Sequence, residues 1–393
     1  MPAHPRIAII GAGPGGLTLA RLLHARGIAA TVFESEPHAL ERPQGGSLDL
    51  HEESGLLALH DAGLFEEFLR IARYEDQGDR LLDKHGRVLF ENSEGFGESR
   101  PEVDRTALRA MLLESLPADT VQWSSPLRDV RSCKDGRWDL LLADREAGPF
   151  DLVVGADGAW SRLRPLLSRY RPQYSGLTFV EFGVDDVDRS HPGVSRLVGR
   201  GKVGIEGDGK EIIAQRNGNA HIRGYAIFRV PADWAAKRFD FGSPPATRAG
   251  LLREFDGYAD EVLELFRASN DCFAVRAIYA LPVGHHWANR RGLTLIGDAA
   301  HVMSPFGGEG VNAAMLDALE LAAQLAGRAD WVDAIAAYEE HMFERVVEAA
   351  AGSAEAAATL LSHDGLALTM ERYQSHRVAK GPGAERAWHS QAP

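Results

Sequence analysis

Four apolar residues, Ile7–Ile10, run straight into Gly11-Ala12-Gly13-Pro14-Gly15-Gly16, and the chain then takes on helical spacing to Arg26. The first, third and sixth positions of the hexapeptide match G-x-G-x-x-G, set between a strand (Arg6–Ile10) and a helix (Gly15–Arg26). This is the opening of a Rossmann-type unit. Gly11 permits the tight turn, Gly13 lets the backbone approach a pyrophosphate, and Gly16 lets the helix pack closely on the strand. The helix N-terminus then stabilises an anion through free N–H groups and its dipole. A second strand, Ala30–Glu34, ends in an acid eighteen residues beyond Gly16, where a carboxylate accepts hydrogen bonds from an adenosine ribose. Gly11, Gly13, Pro14, Gly15, Gly16 and Glu34 are therefore expected to bind a dinucleotide. The pattern does not by itself separate FAD from NAD.

A chain of 393 residues suits two interlocked domains plus an appendage. Its formal net charge of −13 argues against a nucleic-acid surface, which needs clustered Lys and Arg. Cys133 and Cys272 are the only cysteines and fit neither a disulfide framework nor a zinc site. No metal is expected. The N-terminus lacks the order of a secretory signal, and glycines and Pro14 break the first apolar run, so a cytoplasmic protein without a membrane span is expected.

Helical spacing recurs at Leu56–Leu69 and at Arg105–Leu116, with Asp104 as N-cap. Strands are predicted at Leu127–Ser132, Trp138–Ala143 and Phe150–Gly155, the last apolar enough for a sheet covered on both faces. From about Tyr170 to Ala280 short β-rich runs (Leu177–Gly183, Glu211–Gln215, His221–Val230) alternate with Gly, Asp and Pro, the texture of a second domain. Gly292–Gly297 returns to a buried strand, and Ala-rich helices follow at Val311–Leu325 and Trp331–Ala351.

Two further glycine-centred segments carry chemistry. Asp151–Gly155 leads into Ala156-Asp157-Gly158 and then Ser161, Arg162 and Arg164, a strand entering a turn and a basic stretch. Leu295-Ile296-Gly297-Asp298 ends a strand in an acid suited to hydroxyl groups of an extended ligand. Pro305-Phe306-Gly307-Gly308-Glu309-Gly310-Val311-Asn312 then opens a helix whose N-terminus can approach an anion or an electron-rich ring edge.

Gly11–Gly16 with Glu34, Asp157-Gly158, Gly297-Asp298 and Pro305–Asn312 occur in the order and spacing of the single-component flavin aromatic hydroxylases, the para-hydroxybenzoate hydroxylase-like family. Gly45–His51 with Ser54-Gly55, and Pro101–Arg105 with Leu108-Arg109, resemble segments of the tetracycline-inactivating flavin monooxygenases. The resemblance implies an α/β fold: a Rossmann-like FAD-binding domain (1–72, 100–170, 280–330), an inserted β-rich substrate domain (73–99, 171–279), a long C-terminal bridging helix (331–365) and a flexible tail (381–393). It implies that Glu34 holds the adenosine ribose and that Arg105 contacts the ribityl–phosphate arm. Asp157 belongs to the cofactor set, Asp298 binds ribityl or pyrophosphate groups, and Gly308, Gly310, Val311 and Asn312 lie beside the isoalloxazine. Two positions depart from the pattern: Ser35 stands where many relatives carry Arg, and Glu309 where many carry Gln.

The implied reaction uses NADPH or NADH as a visiting co-substrate and O2, with a flavin C4a-hydroperoxide passing oxygen to a small aromatic or polycyclic substrate. Tetracyclines are one candidate. The flavin carries the chemistry, so no protein nucleophile or catalytic residue is needed. Phe182 and Phe306 are assigned to the substrate. Arg216, Arg223 and Tyr225 alternate on strands of the second domain, pointing either into the pocket or to solvent. His301 either packs beneath the flavin or acts in catalysis, and His285-His286 reads as a solvated pair. The stripe Trp331, Ile335, Tyr338, Met342, Val346 and Val347 either braces the two domains or forms a dimer interface; a monomer is expected. Competing activities are a flavin halogenase, a flavin dehydrogenase and a drug-sequestering flavoprotein, although no W-x-W-x-I-P-like halogenase segment is present.

Overall fold

The apolar run Ile7–Ile10 becomes the central strand of a five-stranded sheet in the computed structural model, which describes residues 4–39, 41, 45–92, 100–362 and 365–371. The predicted tail 381–393 lies outside the described residues. The sheet order is Leu293–Leu295, Leu152–Gly155, Ile7–Ile10, Ala30–Phe33, Val121–Gln122, every pair parallel. A parallel sheet covered on both faces has no polar side, which is why Leu152, Val153 and Val154 are all buried without alternation. The predicted single strand Phe150–Gly155 is two strands. Glu146–Phe150 pairs antiparallel with Trp138–Leu142, and Leu152–Gly155 joins the parallel sheet. The chain changes sheets at Asp151, whose carboxylate accepts the Arg6 N–H at 2.8 Å.

Leu56–Leu69 is likewise not one helix. A π-turn, Glu52–Leu56, precedes Leu57–Asp61, and Gly63 at φ +68° stops the run before Phe65–Leu69. The helices Pro14–Ala25 and Glu309–Gly327 approach closely because their contact is built of small residues: a Cβ at Gly15 would sit 3.2 Å from that of Ala314.

The C-terminal helix Trp331–Thr359 buries Ala334, Ile335, Tyr338, Met342 and Val346 in the core of this first unit, which comprises residues 1–72, 103–175 and 279–356. Val347, placed by its spacing in the same stripe, is 40% exposed, one residue around the helix from Val346. Polar groups fix the docking. Tyr338 Oη donates to Leu295 O at 2.9 Å. Glu339 accepts from Trp287, Asn289 and Thr294 at 2.8–2.9 Å.

The second unit, whose described residues are 73–92, 100–102, 176–278, 357–362 and 365–371, is built on a seven-stranded sheet ordered Ala274–Ala280, Gln173–Val184, His221–Arg229, Lys210–Asn217, Gly201–Gly207, Gly78–Asp83, Val88–Asn92. Besides the expected strands this unit contains the helices Pro192–Val198, Pro244–Glu254 and Asp260–Arg267, the first two opened by proline at the first helical turn. These helices cover one sheet face, burying Val180, Phe182, Val184, Val203, Ile212, Ala214 and Ile222.

Side-chain alternation then separates residues that the sequence had grouped. Phe182 is 1% exposed on the helix-covered face, its ring 5.1 Å from that of Phe266, so it is a core residue and not a substrate contact. Arg216 is also misassigned. Gln215, not Arg216, pairs in register with Arg223, which puts Arg216 on the opposite face. There its guanidinium binds Gly199 O at 2.8 Å, Ser195 Oγ at 2.8 Å and Asp188 at 3.1 Å. Arg223 and Tyr225 occupy the other face, Arg223 paired with Glu181.

The core role of Phe182 has a direct test. A Cβ added at Gly224 would lie 2.1 Å from the Phe182 ring. Gly224→Ala is expected to destabilise the chain by about 1–3 kcal/mol through overpacking, and Phe182→Leu in the same chain should restore part of that loss. Urea unfolding reads both; additive losses would remove Phe182 from this contact.

Among the described residues no helix is long and apolar enough to cross a membrane.

Candidate functional site

The glycine hexapeptide is a cradle held open by backbone geometry. Gly11 has φ +108°, and a Cβ there would meet Ala156 O at 2.4 Å. A Cβ at Gly16 would meet Gly11 O at 2.2 Å, so this position lets the helix start against the strand. Gly13, the N-cap, has nothing within 4 Å of where its Cβ would be. The helix carries no side-chain cap and no acid in its first turn, so its first N–H groups face that opening. Backbone and space are thus arranged for an anionic group.

Glu34, 8% exposed, ends its strand beside this loop. Its Oε2 accepts the Ala12 N–H at 2.6 Å, and its Oε1 accepts from Ser35 Oγ and Glu36 N at 2.9 Å. Ser35 therefore orients the acid rather than replacing a missing cation. A cation reaches this side of the loop from Arg109, whose guanidinium lies 4.0 Å from Glu34 Oε2. Its Nε donates to Ala12 O at 2.9 Å, and its Nη1 donates to Glu36 at 2.8 Å. The available signal was its position one helical turn after Arg105.

The Asp-Gly turn and the Asp298 strand end are tied together by Arg164. It is 3% exposed and donates to Ala299 O at 2.7 Å, Ala159 O at 2.8 Å and Asp298 O at 3.0 Å. Burial lowers its pKa, opposed by Asp157 and Asp298. Asp157 accepts the Arg162 N–H at 2.7 Å, while no described residue donates to its buried Oδ1. No described residue donates to the Asp298 carboxylate either. Solvent reaches that group, yet surrounding protein crowds it enough that desolvation raises its pKa against His301, Arg105 and Arg164. A buried acceptor with an empty lone pair, an acid in a crowded recess, nearby cations and an open helix N-terminus fit the hydroxyls and phosphates of FAD.

The Asn312 side chain ties the protein to itself. It is fully buried, and its Oδ1 accepts from His51 N at 2.9 Å and from Ser54 Oγ and Gly55 N at 3.3 Å. Its Nδ2 donates to Asp49 O at 2.9 Å and Gly308 O at 3.1 Å. With every polar atom engaged, the side chain locks the entry of the helix Glu309–Gly327 to the segment 49–55. Gly308 needs its φ of +74°, and a Cβ there would strike Asp49. Gly310 and Val311 follow in the first turn. Phe306 is half-buried, and its carbonyl accepts from Ser353 Oγ at 3.0 Å.

His301 is buried, its Nε2 2.7 Å from Asp317 Oδ2. Asp317 also accepts the Gly297 N–H at 2.7 Å and Arg345 Nη2 at 2.7 Å. Burial alone would raise Asp317, but His301, Arg345 and the Gly297 N–H hold its pKa below the usual range. Asp317 thus links His301 and Arg345 to the backbone N–H that precedes Asp298. His285 is buried as well, between Ala300 O and Ser168 Oγ at 2.8 Å each, which corrects its reading as half of a solvated pair.

The sequence matches the family described as FAD binding domain over residues 5–347. It is 34% identical over 367 residues to Monooxygenase penA of Penicillium thymicola, covering 81% of this chain and 84% of that one. The chain belongs to the FAD-binding domain family. It is 30% identical over 375 residues to the 3-amino-4-hydroxybenzoate 2-monooxygenase PtmB3 of Streptomyces platensis, covering 88% and 85% of the two chains. The fold of this FAD-binding protein is shared with Klebsiella pneumoniae HpxO complexed with FAD and uric acid (TM-score 0.79, 23% identity, 95% of this chain and 93% of that one). It is shared too with the tetracycline destructase Tet(51) (TM-score 0.71, 21% identity, 96% of each). The protein is an FAD-dependent monooxygenase.

Proposed function

We propose that the protein hydroxylates a small aromatic or polycyclic substrate, drawing electrons from NADPH or NADH and oxygen from O2. The observation that carries this reading is the convergence, in one unit of the chain, of the open Gly13 cradle, the oriented Glu34, the buried Asp157 Oδ1 without a donor and the undonated carboxylate of Asp298. Bound FAD supplies two-electron chemistry and oxygen activation. The chain's own residues do the rest. Helix N–H groups bind the pyrophosphate, Asp298 and Glu34 orient hydroxyl groups, and the Arg164 and Asp317 networks hold those acids in place. The identity of a 3-amino-4-hydroxybenzoate monooxygenase at 30% supports an aromatic substrate, and tetracyclines belong in the test panel.

Purified protein is expected to be yellow, and to consume NAD(P)H and O2 faster when a substrate is added, yielding a product heavier by one oxygen. A protein that binds FAD but never accelerates NAD(P)H oxidation with any panel member would point to sequestration instead.

The two acids also differ in kind. Asp298→Ala should weaken FAD binding about tenfold to a hundredfold, since a hydrogen bond to a charged group is lost, while leaving the apo-protein's melting temperature unchanged. Asp157→Ala should lower that temperature as well, because it frees the Arg162 N–H and loosens the turn. Flavin fluorescence titration and apo-protein melts separate them; equal FAD affinity of the Asp298 variant and the parent would reject the assignment.

A further inference from the structure

In the second unit, the sheet face away from the helices carries two acids that the fold does not explain. Glu206 and Glu211 stand directly opposite each other on neighbouring antiparallel strands and are 6% and 5% exposed. No described residue donates to Oε2 of either. On the same face Asp83 stands beside Glu206 in register and accepts from Arg87 Nε at 2.6 Å, and Asp79 has Lys202 Nζ at 3.3 Å. The other carboxyl oxygens abut glycine: a Cβ at Gly204 would lie 3.2 Å from Glu211 Oε1, and one at Gly365 the same distance from Glu206 Oε1. Lys202, the cation whose charge acts on Glu211, is already paired with Asp79. An unpaired buried carboxyl is costly, and its persistence asks for a partner that arrives from outside.

The surroundings specify the partner. Glu211 leans over Gly204, which pairs in register with Ile213, and Ile213 pairs with Tyr225. Ile213 and Tyr225 are half-buried, and Gly204 has no side chain. The row Tyr225–Ile213–Gly204 crosses three strands, a width of roughly 10 Å, which suits a flat bicyclic ring. Burial first, then Glu206 and Asp79, push Glu211 up to about 8, and burial raises Glu206, so near neutral pH the pair retains a proton. A protonated carboxyl beside an ionised one donates one hydrogen bond and accepts another. The edge that matches is an N–H beside a C=O. Among the described residues no group of His, Cys, Asp and Glu can hold a metal ion.

We propose that Glu206 and Glu211 bind the N–H/C=O edge of a lactam-type heteroaromatic substrate whose ring lies over Ile213 and Tyr225. This rests on the monooxygenase reading above and adds the polar group that the substrate must carry.

The test uses FAD-loaded protein and calorimetric titration with isoquinolin-1(2H)-one and with isocoumarin, which replaces the N–H by a ring oxygen. The lactam should bind at least tenfold more tightly than the lactone. Glu211→Leu should abolish that preference with flavin content unchanged. Glu211→Gln, which keeps one donor and one acceptor, should retain it. Equal binding of lactam and lactone, no binding of either at millimolar concentration, or tighter binding of the cation isoindoline would each overturn the proposal. None of these outcomes alters flavin content or substrate-stimulated NAD(P)H oxidation by other aromatics, which is where failure of the monooxygenase reading would appear.

Discussion

Arg345→Met should cost the folded chain about 2–4 kcal/mol, somewhat less than the roughly 3–5 kcal/mol of a fully buried ion pair because Arg345 is a quarter exposed. The substitution leaves Asp317, which is fully buried, without its guanidinium partner. The loss has a definite pH signature. Asp317 has a folded-state pKa held below its ordinary value, so its contribution is present above the unfolded carboxylate range and disappears as pH falls through the folded value. Removing Arg345 raises that folded value and moves the acid limb of the stability curve to higher pH. Thermal melts from pH 3 to pH 7 read both effects, and Asp317→Leu in the same chain should recover part of the loss. Superimposable melts of variant and parent would mean that Arg345 contributes nothing to docking the helix Trp331–Thr359.

Glu211→Gln should do the reverse and stabilise. Glu211 is buried with its pKa pushed up from 4.5 to about 8 by burial and by Glu206 and Asp79. An acid raised in the folded state adds stability that is full below about 4.5 and is lost as pH rises through about 8. The amide never ionises, so variant and parent should coincide near pH 5 and diverge above it, reaching on the order of 2–4 kcal/mol at pH 9. Ligand-free chemical denaturation across that interval gives the difference directly. A gap independent of pH would mean that Glu211 is ionised throughout.

What could be read from the residues depended on how local the signal was. The strand–glycine–helix opening, the apolar parallel strands and the long C-terminal helix are written in contiguous runs, and the α/β architecture with its β-rich second sheet follows from them. Phe182 and Arg216 were misplaced because facing depends on register, and register is set by partner strands far away in sequence. Nor does the sequence show that the Asn312 side chain is held by His51, Ser54 and Gly55, which lie more than 250 residues away in the chain. Arg164 and Asp317 are satisfied by backbone carbonyls and amides contributed by other segments. A sequence does not display such partners, since every residue has the same main chain. The break at Gly63 was missed because apolar spacing continues across a glycine whose conformation alone ends the helix.

The two-faced sheet of the second unit also sets rules for anyone who wishes to redirect the enzyme by mutagenesis. Randomising a whole strand such as Gln173–Val184 or Lys210–Asn217 spends half of every library on Val180, Phe182, Ile212 and Ala214, whose neighbours are the helices. Most of those clones will fail to fold and will be scored, wrongly, as inactive. Confining diversity to Phe179, Glu181, Ile213, Gln215, Arg223 and Tyr225, which share the opposite face by register, keeps the scaffold constant. Loss of signal in such a library then tests the recognition role proposed for this face with the helix-packed face unchanged.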